Sequence, residues 1–182
     1  MKRIGIYLLT VAALMAASCA PSMRPPEPGR MSICRSGDFR RYPPGKADAI
    51  VSVGMSSPDV MKQRLCIRQQ RVLVDPSGSM DGCEAEYGGV NYMLAFDKAG
   101  RLCHISSRSR TLLLEGGTGP GSTLAGIRGA YGGYRVLLMR GYGRMVLVRG
   151  GDVFGFEWDG SETIRDDERA SWVELTSIPK RQ

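Results

Sequence analysis

The sequence of 182 residues contains a single histidine, His104, and no pair of cysteines in CxxC spacing. Structural zinc sites usually take ligands from such pairs, so the chain lacks the pattern of a zinc site. A Ser-His-Asp triad would have to use His104, and a lone histidine in a predicted strand is usually a structural residue. We therefore predict no metal, no cofactor and no catalytic residue.

The stretch EGGTGPGSTLAG, residues 115–126, lacks the lysine of a nucleotide-binding loop. In that motif a lysine directly follows the second of two glycines separated by four residues, and it reaches the terminal phosphates. Here Ser122 follows Gly121. The glycines instead predict a sharp turn from a strand into a helix, with Ser122 as its N-cap. We expect this segment to bind no nucleotide.

Two carboxylates, Glu84 and Glu86, stand two residues apart and would share one face of an extended strand. Paired carboxylates can hydrolyse glycosides, yet two acids on one strand more often form a solvated face. A hydrolase is therefore the least favoured class of function, and the chain is expected not to be an enzyme.

The chain begins with MKRIGIYLLTVAALMAASC, in which two basic residues precede an apolar run. The run is shorter than the roughly twenty residues of a spanning helix, so it predicts a processed signal peptide over residues 1–18. The small residues before Cys19 resemble the lipobox of bacterial lipoproteins, although that family usually has leucine where Ala16 stands. The resemblance implies a lipid on Cys19, and the neutral Ala20 beside it implies an outer-membrane destination.

Charge gives a weaker indication of partners. Loss of Lys2 and Arg3 with the signal peptide lowers the count of basic side chains from 25 to 23, against 18 acidic ones. A modest positive excess favours anionic surfaces without choosing among them. We expect no nucleic-acid partner.

The four further cysteines, Cys34, Cys66, Cys83 and Cys103, would lie in an oxidising compartment after export. An even number there predicts two disulfides, and four cysteines allow three connectivities. We favour Cys66 with Cys103 and Cys34 with Cys83, because a helix end often lies over the start of a neighbouring strand. The other pairings remain open.

Proline, glycine and hydrophobic periodicity divide the rest of the chain. Residues 19–45 are rich in proline and predict a lipid-anchored, extended tether. Capping residues predict a helix over 57–66 and another from Ser122 to Gly132. Predicted strands occupy residues 71–75, 90–97, 101–106, 134–140, 144–149, 153–158 and 172–178, with 110–115 as a further strand or a bridge.

This order predicts an α+β fold made of two helix-plus-antiparallel-sheet repeats of αβββ type. The first repeat would occupy residues 46–115 and contain the disulfides. The second would occupy residues 116–178, followed by a disordered tail over 179–182.

The segments GMSSPDV at 54–60 and GSTLAGI at 121–127 can be laid on each other. Both resemble the GMT...V helix start of the small outer-membrane lipoprotein family known as SmpA, OmlA or BamE, although the second copy lacks the methionine. LAFDKAGRLCHI at 94–105 is similar to the closing hairpin of that family. The resemblance covers most of residues 50–160 and implies a scaffold without catalytic activity. A tandem pair of such units is the architecture of the β-lactamase inhibitor protein fold.

Aromatic residues are concentrated in the second half. Phe154, Phe156 and Trp158 alternate along one predicted strand and should share a sheet face. That face is either the core beneath the second helix or an exposed protein-binding face with Arg140 and Arg144 at its rim, since tryptophan and arginine are frequent at binding hot spots.

We therefore expect a bacterial outer-membrane lipoprotein that acts as a non-catalytic accessory or scaffold subunit of an envelope protein complex. The alternative is an inhibitor of a lysozyme, protease or lactamase that uses its sheet face. The expected partners are a protein complex or a target enzyme, and the membrane through lipidated Cys19.

Overall fold

The computed structural model describes residues 31–34, 39–41, 49–76, 78–114, 116–140, 142–148 and 152–177. The predicted signal peptide, Cys19, most of the tether and the predicted tail lie outside these residues. The strands are β1 Met31–Cys34, β2 Phe39–Arg41, β3 Ala49–Ser52, β4 Cys66–Asp75, β5 Gly78–Tyr87, β6 Val90–Phe96, β7 Leu102–Ser107, β8 Tyr134–Met139, β9 Gly143–Val148, β10 Asp152–Phe156 and β11 Trp172–Thr176. The helices are α1 Ser57–Lys62 and α2 Leu124–Tyr131.

Strands β4 to β11 form one antiparallel sheet in the order β4-β5-β6-β7-β11-β10-β9-β8. The two halves of the chain meet where β7 pairs with β11, with Ile105 opposite Leu175. Strands β2, β1 and β3 form a separate small sheet in that order. Strands from both halves of the chain thus share one hydrogen-bonded sheet.

The predicted α+β repeat fold is wrong. The helices have only six and eight residues, and four strands, not three, follow each of them into a single sheet. Within the large sheet, the strand that the sequence pattern did not predict is β5, which buries only two small residues, Cys83 and Ala85. Its extended state depends on pairing with β4 and β6 on either side, and such partners are not visible in a local pattern.

Two segments placed in the tether are also strands. Met31–Cys34 pairs with Phe39–Arg41 and with β3, and the Ile33 side chain is fully buried in the main core. These two strands therefore belong to the folded domain.

The main core lies between one face of the eight-stranded sheet and the two helices with the small sheet. Val60 of α1 and Ile127 of α2 pack there with Phe154 and Phe156 of β10. Each N-cap lies one residue from its predicted position: Ser56 rather than Ser57 caps α1, and Thr123 rather than Ser122 caps α2, each through a hydroxyl that accepts a backbone N–H. The predicted stop of the second helix is confirmed, since Gly132 ends it with φ of 67°.

The first helix ends earlier than predicted, and of the two alternatives for residues 110–115, a strand or a bridge, the strand is excluded. After α1, Arg64 adopts a left-handed φ of 55°, which breaks the helix before Cys66. Residues 110–114 form turns and loop rather than a strand, although Leu112 and Leu114 are buried while Leu113 is exposed. The remaining strand predictions are confirmed within a few residues at each end, apart from β4, which begins at Cys66.

A disulfide joins Cys66 and Cys83, and Cys103 is a free, buried cysteine. Both predicted pairings are therefore wrong. Cys66 lies on β4 and Cys103 on β7, three strand spacings or about 14 Å apart across the sheet, which exceeds the reach of a disulfide. Neighbouring strands β4 and β5 instead bring Cys66 close to Cys83. The side chain of Cys34 lies outside the described part of the structure.

Candidate protein-binding groove

On the face of the sheet opposite the helices, a continuous row of side chains runs across all eight strands of the sheet. Successive strand pairings place its members side by side, from one edge of the sheet to the other. The row contains Arg68, Glu84, Met93, Ser106, Glu174, Val153, Leu147 and Arg135. This face, unlike the core face, combines charged, polar and apolar side chains.

A groove of about 590 Å³ lies over this face. Its lining comes from β4 to β7, from the loop after β7, from the β8–β9 turn and from the start of β11. The lining residues are Gln70, Arg71, Val72, Leu73, Glu84, Asn91, Tyr92, Met93, Ser106, Ser107, Arg108, Ser109, Tyr142 and Trp172. Its volume is in the range of sites that hold a small ligand or a few residues of a partner.

Trp172 forms one end of the groove and lies flat across two glycines of neighbouring strands. A Cβ atom on Gly155 would stand 1.8 Å from the indole, and one on Gly143 would stand 2.7 Å from it. Both contacts are shorter than real Cβ atoms tolerate. The indole Nε1 donates a 2.8 Å hydrogen bond to the buried carboxylate of Glu174. Packing and hydrogen bonding therefore fix the ring in one orientation.

Tyr142 completes this end of the groove. Its ring meets Trp172 edge-on with centroids 5.7 Å apart, and its hydroxyl donates a 2.7 Å hydrogen bond to the same Glu174 carboxylate. Burial, followed by the charge of Glu174, raises the pKa of the Tyr142 phenol far above its usual range. Tyr142 therefore stays a neutral hydrogen-bond donor.

Arg108 lies above the Trp172 ring, with its guanidinium carbon 5.0 Å from the centroid. The same guanidinium donates a 2.6 Å hydrogen bond to the Glu157 carboxylate. Both side chains of this ion pair are more than half exposed, and such pairs contribute at most about 1 kcal/mol. Arg108 is thus held in position at the rim of the groove, and its ion pair with Glu157 is weak.

The opposite wall is formed by β4, an edge strand of the sheet, with β5 and β6. Gln70 donates to the sulfur of Met93 across the face at 3.2 Å. Glu84 is the one acidic residue in the groove lining, and it pairs with Arg68 at 2.9 Å. Arg71 pairs with Asp81 on the exposed side of the hairpin.

Arg144, predicted as an exposed binding residue, is a buried structural residue with 1% of its side chain accessible. Its guanidinium donates to the main-chain carbonyl of Thr163 at 2.8 Å, to that of Glu157 and to both oxygens of Glu168. Asp159 lies 3.1 Å away. One arginine therefore fixes the long connection between β10 and β11, residues 157–171, which we call the arginine-held loop.

The structure separates the other predicted binding residues. Phe154 and Phe156 are fully buried in the core beneath α2, so an exposed face built from them is wrong and the core alternative holds for this pair. Trp158 follows the end of β10 and is 40% exposed on the arginine-held loop. Arg140 is exposed and pairs with Glu162 of that loop. Neither Trp158 nor Arg140 lines the groove.

The residues considered for catalysis do not assemble into a site. His104 is fully buried in β7, Glu84 is paired with Arg68, and Glu86 is exposed on the same strand as Glu84. Burial, with a smaller contribution from Asp97, raises the pKa of the Cys103 thiol to about 11, which disfavours the reactive thiolate. Within the described ranges, no cluster of three or more potential metal-ligating side chains occurs.

The glycine-rich segment has a structural role. A Cβ atom on Gly119 would stand 2.0 Å from the carbonyl oxygen of Leu112, so only glycine permits this close approach of two chain segments. The backbone N–H of Gly119 donates to the Ser122 hydroxyl at 3.0 Å. The segment thus folds back on itself before α2 begins.

A scan against protein-family models finds no match for the chain, and searches of curated proteins and of solved structures find none either. None of the described helices is long and apolar enough to cross a membrane. The fold and groove define a predominantly β protein with a preformed concave site on its large sheet. Sequence reasoning missed the groove residues Arg108, Tyr142 and Trp172; the alternation of Trp172 with Glu174 and the glycine at 155 were the available signals.

Proposed function

We propose that this protein is a non-catalytic binding module of the bacterial envelope, anchored by a lipid on Cys19, which docks a protein partner in the sheet groove. The observation that carries the proposal is the fixed Trp172, Tyr142 and Arg108 cluster beside Met93 at the groove. Tryptophan, tyrosine and arginine are the residue types that dominate protein-binding hot spots, and methionine is also enriched at interfaces. In this proposal the protein acts as an accessory subunit of an envelope complex.

The rigidity of Trp172 supports tight binding of a partner at this site. The indole of Trp172 is seated on two glycines and hydrogen-bonded to Glu174, so little side-chain freedom is left to lose when a partner docks. Pre-organisation of this kind increases affinity because it lowers the entropic cost of association.

Co-purification from envelopes tests the proposal. The full chain carries a tag after Gln182, and the wild type is compared with Met93→Glu, which places a negative charge in the groove. Leu113→Glu is the matched control, since Leu113 is also an exposed apolar residue but does not line the groove. We expect a stoichiometric partner with the wild type and with Leu113→Glu, and its loss with Met93→Glu. Equal recovery by both variants would contradict docking in the groove.

The lipid anchor is tested separately. A Cys19→Ser variant should lose labelling by radioactive palmitate and leave the membrane fraction. Retention of the label would exclude Cys19 as the modified residue.

An enzyme inhibitor is the second candidate, and the arginine-held loop favours it. Buried Arg144 fixes this loop and presents Trp158 to solvent, as expected for a rigid segment that enters a foreign cleft. A soluble form beginning at Met31, which keeps β1, should then inhibit a lysozyme, protease or lactamase. Inhibition should weaken with Trp158→Ala, whereas an accessory subunit would show no inhibition.

A further inference from the structure

We propose that the groove recognises an acidic segment of the partner protein, and that a carboxylate of this segment replaces Glu157 on Arg108. This inference rests on the proposed function and specifies the chemistry of the partner. Arg108 then acts as the residue that determines specificity.

Two arginines, Arg71 and Arg108, line the groove with side chains that are 62% and 67% exposed. Each already pairs with an exposed carboxylate outside the lining, Arg71 with Asp81 and Arg108 with Glu157. The acidic lining residue Glu84 is only 25% exposed and is bound by Arg68. The lining thus offers a docked segment two arginines in weak, exposed ion pairs, which can exchange their carboxylate partners at little cost.

The edge strand β4 forms one wall of the groove. Residues 63–74 contain three arginines, at positions 64, 68 and 71, and no acidic residue. β4 pairs with β5 on one side, and no other described strand pairs with its opposite edge. Arg68 and Arg71 pair with Glu84 and Asp81 of β5, so an acidic segment along this wall would exchange with those carboxylates, whereas a basic segment would meet no acidic residue between positions 63 and 74.

The guanidinium of Arg108 is held over Trp172 and already binds a carboxylate. The face of Trp172 holds the guanidinium at 5.0 Å, and Glu157 occupies it at 2.6 Å from an exposed loop. The structure thus shows a carboxylate already bound at this position. Because the Arg108–Glu157 pair is exposed, exchange of one carboxylate for another costs little.

The experiment uses the full chain in mild detergent and a displayed library of random peptides. We expect enrichment of peptides containing aspartate or glutamate. For an enriched acidic peptide, Arg108→Gln should weaken binding about tenfold or more, since a hydrogen bond to a charged group is lost. Glu157→Gln should have the opposite effect and tighten binding, by up to about fivefold, because it removes the internal competitor.

Arg140→Gln is the matched control. Arg140 is exposed and also pairs with a carboxylate of the arginine-held loop, but it lies outside the groove lining, so binding should not change. Circular dichroism of each variant checks that the fold is retained.

The outcomes separate the inference from the proposed function. Groove-dependent peptides, identified by a change in binding with Met93→Glu, that lack an acidic preference or do not respond to Glu157→Gln would overturn the inference while leaving a protein-binding groove. If no peptide depends on Met93, or if glycan strands bind the groove instead, both proposals fail.

Discussion

Replacement of Arg144 by methionine is expected to lower the free energy of unfolding by about 3–5 kcal/mol, the usual cost of breaking a buried ion pair by removal of one partner. Methionine keeps most of the apolar stem and removes the charge. The Glu168 carboxylate, only 15% exposed, would lose its counterion. The carbonyls of Thr163 and Glu157 would each lose a donor, at about 1 kcal/mol each. Asp159 is 41% exposed, so water compensates for much of its lost contact.

Arg140→Met is the matched control for this prediction. Arg140 pairs with Glu162 of the same loop, but the two side chains are 79% and 61% exposed, so the loss should be below about 1 kcal/mol. Urea unfolding of both variants measures the difference. Hydrogen exchange should show faster exchange of the amides of the arginine-held loop in Arg144→Met alone.

Two results would contradict the role of Arg144 in holding this loop. One is a stability loss in Arg144→Met that is no larger than in Arg140→Met. The other is unchanged hydrogen exchange in the loop despite a large loss of stability, because the arginine would then support the core rather than the loop.

Three further predictions follow from local geometry. Gly155→Ala should cost about 3 kcal/mol by displacing the indole at the groove, whereas Gly78→Ala, a strand glycine with nothing within 4 Å of an added Cβ, should be nearly neutral in urea unfolding. Burial raises the pKa of the Cys103 thiol from 9.0 to about 11. The neutral thiol therefore contributes to the free energy of unfolding below pH 9, and this contribution is lost as the pH rises towards about 11. Cys103→Ala should remove this part of the pH dependence of stability. Thr123→Ala should cost about 1 kcal/mol as a lost N-cap, and Ser122→Ala less; thermal melting that ranks them in reverse would contradict the capping assignment.

Composition located part of the exposed surface but not the groove. The concentration of aromatic and arginine residues in the second half predicted a binding face, and Trp158 and Arg140 are exposed, although neither lines the groove. The same pattern could not separate Arg144 from Arg140, because burial of Arg144 depends on acceptors supplied by residues 157–168. Arg108 and Trp172 are 64 positions apart in the sequence and meet only because β7 pairs with β11.

Elements with a local signal could be read from the chain alone. Alternation of apolar residues placed the strand Val90–Phe96, and Gly132 ended the second helix with its positive φ. Long-range contacts were needed to make β5 a strand, to bond Cys66 to Cys83, and to join strands β4 to β11 in one sheet. Strand pairing joins residues distant in sequence, so the energy that selects a neighbouring strand, a disulfide or a buried charge is absent from any short stretch of the chain.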